Sequence, residues 1–402
     1  MSDPIQEAVA AAHRSEWSRI VATLIRITRD WSLAEDSTSE AFESAMVTWP
    51  RDGIPRNPGA WLTTVAKNRA LDRLRRAASL ARKLEMEAAM QELDELDADE
   101  IPDDRLRLIF TCCHPALPAE ARIALTLRTV GGLTTPQIAQ AFLQPESAIA
   151  QRIVRAKRKI ADAGIPYRVP EGAQLHERLA GVLSVLYLAF STGYSAAADQ
   201  LLADEAIRMT RVLVTLMPDE PEAMGLLSLM LFQHSRRNAR RDATGVLLTI
   251  EEQDRAGWDT ALIAEARQVL AAASRRERPG AYQVQAAIAA VHATAASASD
   301  TDWASIVLLY DRLIEIAPTY VVEFNRAIAV GMARGTDAGL EALDAVTGDV
   351  GHLRPAARAD LLGRAGRAAA AAAEYRAAIE LAPSEAEREA LTQRLETIER
   401  VT

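Results

Sequence analysis

The chain has 402 residues and carries 46 Lys and Arg against 55 Asp and Glu, a formal net charge of −9, with 49% apolar and 25% charged residues. That length predicts two to four domains at roughly 100–200 residues each, and the balance excludes disordered, collagen-like and membrane classes. Taken whole, the acidity argues against a general nucleic-acid binder. Two adjacent cysteines, Cys112 and Cys113, exclude a disulfide framework and suit a reducing cytosol. The longest apolar stretch, near Leu179–Phe190, is short of the ~20 residues a membrane span needs. The N-terminal segment has early acids and no apolar core, unlike a secretion signal. A cytoplasmic protein is expected.

Apolar residues recur at three- and four-residue spacing with Ala, Leu, Glu and Arg between them, and alternating β-branched runs are nearly absent. The fold class is therefore all-α. Charge is uneven along the chain. From Gly53 to Lys83, eight Lys and Arg stand against Asp72 alone. From Leu84 to Asp104 there are ten Asp and Glu and no Lys or Arg. From Arg105 to Arg168, ten Lys and Arg face Glu120, Glu146 and Asp162, and the remainder carries 23 Lys and Arg against 32 Asp and Glu. Two basic helical blocks are thus separated by an acidic segment and followed by a large acidic unit. Gly164–Gly172, rich in Pro and Gly, reads as a domain boundary.

The first block opens with an amphipathic helix over Leu33–Trp49. Ala41, Phe42, Ala45 and Trp49 share one face, and Asp36, Glu40 and Glu43 another. A Pro/Gly loop follows, then a helix over Ala60–Ala78. Leu62, Ala66, Ala70 and Leu74 face a core there, and Thr64, Asn68, Asp72 and Arg75 form a polar stripe flanked by Lys67, Arg69, Arg73 and Arg76. Groups able to hydrogen-bond bases, ringed by cations for phosphates, suit a helix laid on DNA. A solvated basic face is the other reading.

The second block, LTTPQIAQAFLQPESAIAQRIVRAKRKI, has helix-turn-helix spacing. Thr135 can cap a short helix with Pro136 at its first helical position, and Ile138, Ala139 and Phe142 point inward. Leu143–Gln144–Pro145 supplies the turn. A second helix runs from about Glu146 to Ile160 with Ile149, Ile153, Ala156 and Ile160 as its seam. Ser147, Gln151, Val154 and Arg158 lie opposite, with Arg152 and Arg155 at the edges, a pattern suited to the major groove. A structural helical hairpin with a wet basic face is the alternative.

Together the blocks resemble RNA polymerase sigma factors of the sigma-70 family, in the extracytoplasmic-function (ECF) group. LAEDSTSEAFESAMVTW resembles the region 2 helix that docks on the clamp helices of the β′ subunit. AWLTTVAKNRALDRLRR is similar to the helix that binds and opens the −10 element, and the helix-turn-helix resembles region 4, which reads the −35 element. The resemblance implies a non-enzymatic promoter-specificity subunit without cofactor or metal, whose partners are core RNA polymerase and promoter DNA. It implies polymerase contacts at Asp36, Glu40 and Glu43. At the −10 element it implies Arg56, Asn57, Asn68, Asp72, Arg75 and Arg76, the first two on a loop holding an extruded base. At the −35 element it implies Ser147, Gln151, Arg152, Arg155 and Arg158. The expected division is region 2 over 1–83, an acidic linker over 84–104, region 4 over 105–165, a linker over 166–174 and an extension over 175–402. A helix-turn-helix activator that never joins polymerase, or a helical scaffold without DNA binding, are the rival readings.

The extension resembles that of the subgroup with a C-terminal tetratricopeptide-like domain, although Ser191-Thr192 replaces the Asn-Glu common before Gly-Tyr there. Helix-ending prolines at Met217-Pro218, Ala317-Pro318 and Ala382-Pro383 are spaced near multiples of a ~34-residue repeat. The best copy is Tyr310–Arg334, with small Ala327 and Ala329 between larger positions. Such a surface suits a protein partner. Three weaker patterns remain. Cys112-Cys113-His114 reads as core packing sooner than a metal site. Arg236, Arg237, Arg240 and Arg241 form either a solvated loop or an anion site. Gln253, Asp254, Arg255 and Trp258 line either a small pocket or an ordinary turn.

Overall fold

A computed structural model describes residues 4–77, 83–96, 103–195, 200–242 and 245–401. Among them every regular element is helical, apart from an isolated antiparallel bridge between Arg241 and Leu247. The chain divides into two units, Met1–Leu216 and Met217–Thr402.

The first unit contains α1 (Pro4–Thr28), α2 (Trp31–Asp52), α3 (Pro58–Ala77), α4 (Lys83–Glu95), α5 (Arg105–Cys112), α6 (Ala119–Thr129), α7 (Thr135–Ala141), α8 (Glu146–Asp162), α9 (Ala173–Ser195) and α10 (Gln200–Leu216). Helix α2 starts two residues before the expected Leu33, because Asp30 Oδ1 accepts from Ser32 N at 3.0 Å and Leu33 N at 2.9 Å. Its expected face is the buried one: Ala41, Phe42, Ala45 and Trp49 are all buried. Helix α3 starts at Pro58, and Asn57 Oδ1 accepts from Ala60 N at 3.1 Å. Leu62, Ala66 and Ala70 are buried as expected, whereas Leu71 joins them and Leu74 is half-buried. Ala78 and Arg82 lie outside the described residues.

Helices α1 and α2 pack through an aromatic cluster, with the His13 ring 5.0 Å from Trp17 and 4.9 Å from Phe42. The cap of α7 is Thr134, not Thr135. Thr134 Oγ1 accepts from Gln137 N at 3.3 Å while Gln137 Oε1 accepts from Thr134 N at 2.8 Å. The reason is the reciprocal capping box, which needs a Gln three residues on and finds it only from position 134. Cys112 and Cys113 are both free and buried, and no group of metal-holding side chains occurs among the described residues.

Two features add to the sequence reading. The segment 164–172 does connect α8 to α9, but Tyr167 Oη within it donates to Ala22 O on α1 at 2.9 Å. The two compact units divide after Leu216. The acidic segment is also more than a tether: its first part is helix α4, with Leu93 fully buried and the helix packed on α1 and α3. Residues 97–102 lie outside the described residues.

The second unit contains α11 (Pro221–Ser235), α12 (Thr260–Ser274), α13 (Ala281–Thr294), α14 (Trp303–Ile316), α15 (Tyr320–Arg334), α16 (Thr336–Ala345), α17 (Leu353–Arg364), α18 (Ala368–Leu381) and α19 (Glu385–Val401). Helices α10, α14 and α18 end just before the three expected prolines. From α13 onward each helix packs on the next. Ala327 and Ala329 are buried, and a Cβ on Gly339 would lie 2.5 Å from Gly331 Cα, so the α15–α16 crossing requires glycine there. Turn chemistry accounts for two of the weaker patterns. Arg237 pairs with Asp259 at 3.5 Å, and Asp242 Oδ1 accepts from Val246 N at 2.9 Å. Asp254 caps a short turn at Ala256 N, while Arg255 donates to Ala295 O at 2.8 Å and stacks 4.9 Å over Trp258. No helix among the described residues is long and apolar enough to cross a membrane.

Candidate nucleic-acid interface

Helix α8 shows how a spacing becomes a surface. Ile149, Ile153, Ala156 and Ile160 are buried, which fixes Ser147, Gln151, Val154, Arg155 and Arg158 outward, all exposed. The turn before it places Leu143 at φ 51° with 90% of its surface in solvent. Gln151 and Arg155 are one helical turn apart, and Arg155 Nη2 donates to Gln151 Oε1 at 3.3 Å, so an amide and a guanidinium are presented together. Arg152 stands off this face. It is half-buried and pairs with Glu120 at 2.9 Å, beside a groove of about 590 Å³ between the start of α6 and α8 lined by Leu117, Pro118, Ala148 and Ala156. Four of the five residues expected at the −35 element share one exposed face, and Arg152 lies at its edge.

On α3, Asn68, Asp72, Arg75 and Arg76 are exposed, as are Arg56 and Asn57 on the loop before it. Asn57 also has a structural task as the cap described above. Asp72 and Arg75 lie 3.9 Å apart. On α2, Asp36 and Glu43 are exposed and Glu40 half-buried. The first two members of the expected polymerase face already have intramolecular partners. Arg73 donates to Asp36 Oδ2 at 3.0 Å and to Glu40, and Arg69 Nε lies 3.6 Å from Glu40 Oε2.

Helix α4 covers part of the α3 surface. Lys67 Nζ donates to the carbonyls of Asp94 and Leu96, both at 3.1 Å, and Arg75 lies 3.8 Å from Asp94. Arg26 on α1 pairs with Glu92 and, at 2.7 Å, with Asp104. Acidic residues of this segment therefore stand against Arg26 of α1 and Arg75 of α3, as opposite charges favour.

Glu35 was not legible as functional in the sequence. It is 3% exposed, and its carboxylate accepts from Thr129 Oγ1 at 2.9 Å and Arg128 Nε at 3.3 Å, with Lys157 Nζ at 3.0 Å. One α2 carboxylate thus joins α6 and the second helix of the helix-turn-helix, α8. The signal was present: Glu35 sits three and seven residues before Thr38 and Phe42, on the stripe that is buried. Nearby, Trp17 Nε1 donates to Thr129 O at 3.1 Å. His13 is held down to about 4, first by burial and then by the charges of Arg208, Arg128 and Arg14.

An exposed polar stripe on α3, together with a helix-turn-helix presenting Gln151 and Arg155, is an arrangement suited to nucleic acid. Residues 3–80 match the family described as Sigma-70 region 2, residues 107–160 match Sigma-70, region 4, and residues 178–274 match a family of unknown function, DUF6596. An uncharacterized protein of Rhizobium meliloti (strain 1021) is 46% identical over 335 residues, covering 80% of this chain and 78% of that one. The "Probable ECF RNA polymerase sigma factor SigI" of Mycobacterium tuberculosis (strain CDC 1551 / Oshkosh) is 28% identical over 166 residues, 40% of this chain and 56% of that protein. The "ECF RNA polymerase sigma factor SigK" of Mycobacterium ulcerans (strain Agy99) is 28% identical over 165 residues, 39% and 88% of the two chains. No solved structure matches the chain. The chain belongs to the ECF sigma factors of the sigma-70 family, with region 2, region 4 and a C-terminal DUF6596 helical extension. Its function is that of an RNA polymerase sigma factor in transcription initiation, not of an enzyme, and its sigma domains imply binding to core polymerase and promoter DNA.

Proposed function

We propose that α8 reads the −35 element in the major groove through Ser147, Gln151, Arg155 and Arg158, with Arg152 serving the phosphate backbone at the edge. The observation that carries this is the exposed Gln151–Arg155 pair on a helix whose opposite side is sealed by Ile149, Ile153, Ala156 and Ile160. Amide and guanidinium groups are the side chains that pair bidentately with adenine and guanine edges. In the same reading Asn68, Asp72, Arg75 and Arg76 line the −10 surface, and Arg56 and Asn57 border the pocket for an extruded base. Asp36, Glu40 and Glu43 meet basic residues of the β′ clamp helices. Residues 1–83 act as region 2, 84–104 as linker, 105–165 as region 4 and 175–402 as the extension beyond a linker at 166–174. Promoter binding places the protein in the cytoplasm.

The extension reads best as tetratricopeptide-like in its last part. The pairs α14–α15, α16–α17 and α18–α19 begin at Trp303, Thr336 and Ala368, intervals close to the ~34-residue period. Stacked pairs of this kind offer a surface for a protein partner. The testing experiment is promoter binding by holoenzyme carrying Gln151→Ala and Arg155→Ala. Loss confined to duplexes with an intact −35 element supports the assignment; equal binding by variant and wild type removes it.

A further inference from the structure

The pattern Cys112-Cys113-His114 closes α5, and two cations without a counter-charge stand around it. Arg122 on α6 and Arg178 on α9 are both half-buried. The Nε atom of each is sealed from solvent and has no hydrogen-bond partner. Among the described residues no carboxylate forms an ion pair with either guanidinium. Arg178 Nη2 donates to Phe110 O at 2.7 Å, but a carbonyl leaves its charge uncancelled. Exposed Glu177 acts on Arg178 through space.

Helices α5, α6 and α9 bring these groups together over a glycine. Gly181 follows Arg178 by one turn of α9, and a Cβ there would meet only Arg122 Nη1 at 3.8 Å and Cys113 O at 4.0 Å. The absent side chain leaves an open floor between them. Burial pushes the Cys113 thiol up to about 11, while its contact with Thr126 and the charges of Arg122 and Arg178 pull the other way. Both cations therefore act on one buried group. His114 adds a donor: its Nδ1 accepts from Ala116 N at 3.1 Å, which leaves the ring proton on Nε2. Burial and then the charge of Arg178 lower this imidazole below 6.5. A cation removed from water without a partner is costly, and an orphaned buried N–H calls for an ion or water to meet it.

We propose that this site binds the terminal phosphate of a small phosphorylated molecule, with Arg122, Arg178 and His114 as donors and Gly181 as floor. Guanidinium forks match the oxygens of a phosphate, and charge-assisted bonds to them are the strong ones. A phosphate monoester carries about −1.5 to −2 at pH 7 and so offsets both arginines. The singly charged phosphodiester of DNA offsets only one. Arg122 lies in the segment that matches Sigma-70, region 4, and Arg178 opens the segment that matches DUF6596. The bound phosphate thus fastens the first helix of the extension to the helix-turn-helix domain, and the ligand stabilises that docking by mass action. The site goes beyond promoter recognition and does not depend on it.

The test titrates the full chain, in chloride buffer at constant ionic strength, with inorganic phosphate and with ribose 5-phosphate by calorimetry. Wild type should show one saturable site for each, with a dissociation constant of about 1 mM or below. Arg122→Gln should weaken both by roughly tenfold or more, the effect of losing a hydrogen bond to a charged group. His114→Gln is a second, independent variant that leaves both arginines and the Phe110 contact in place, and it should weaken both by a smaller factor. Circular dichroism checks that each variant keeps its helix content. The unfolding midpoint of wild type should rise with phosphate, and that of Arg122→Gln should not. Absence of a saturable site in wild type, or folded variants that bind both probes as wild type does, would overturn the proposal. Displacement of ribose 5-phosphate by a short duplex lacking both promoter elements would also overturn it, by assigning the two arginines to the DNA backbone. Run-off transcription is not a readout here, so failure of this site leaves the sigma-factor reading untouched.

Discussion

Glu35 on α2 and Lys157 on α8 approach to 3.0 Å across the region 2–region 4 junction, although 122 positions separate them in sequence. Glu35 is taken from water almost completely, and three donors replace the solvent it loses. A buried carboxylate is tolerable only with such partners, and removing one side of a buried pair leaves the other uncompensated.

Truncation of Glu35 should therefore be costly. Glu35→Ala is expected to lower unfolding free energy by about 3–5 kcal/mol, the range for breaking a buried ion pair. Exposed Glu43→Ala should stay within ~0.5 kcal/mol of wild type. Urea unfolding followed by circular dichroism measures both. Equal midpoints would mean that the junction contributes nothing.

The α8 residues should separate by role. Gln151→Ala and Arg155→Ala should each cost ~1–3 kcal/mol on the intact −35 element and little on a scrambled one. Arg152→Ala should weaken binding to both and reduce the salt slope by about 1. Titrations of labelled duplexes at several salt concentrations distinguish these patterns.

Linker acidity should compete with nucleic acid in a salt-dependent way. Neutralising the α4 contacts with Glu92→Gln and Asp94→Asn should tighten binding of single-stranded −10 DNA several-fold at low ionic strength. The gain should shrink as screening length falls toward 3 Å near 1 M salt. Fluorescence anisotropy reads this directly, and an affinity ratio independent of salt would contradict it.

His13 gives a pH signature. Its folded-state value, about 4, lies below the ordinary 6.5 chiefly because of burial. The unfolded chain therefore binds the proton first. The associated stability is complete above pH 6.5 and is lost as pH falls through 6.5 toward 4. His13→Gln should flatten part of that loss. The similar contribution of His292, lowered to about 4 by burial and then by Arg236 and Arg255, should persist. Unfolding midpoints between pH 4 and 7 supply the comparison.

Local patterns were legible where one helix determines its own two faces. The seam of α8 and the buried side of α2 follow from spacing alone, because a 3.6-residue period sorts apolar from polar groups without reference to neighbours. The helix-turn-helix needed only its turn and caps, and even there the reciprocal bonds of Thr134 and Gln137 moved the start by one residue. What escaped was nonlocal. Glu35 reads as one more surface acid until Arg128 and Lys157 arrive from distant helices. Helix α4 looks like a charged tether until α1 and α3 supply a place for Leu93. The pairing of Arg73 with Asp36 and Glu40 likewise depends on how two helices cross, which composition does not encode.

The most direct measurement is run-off transcription with purified core RNA polymerase on the region upstream of this protein's own gene. Core enzyme with the wild-type chain should give a discrete transcript that disappears on scrambling either promoter element. The transcript should fall sharply with Gln151→Ala and Arg155→Ala combined. A chain that binds this DNA yet yields no transcript with core enzyme, or a transcript indifferent to both elements, would contradict the account.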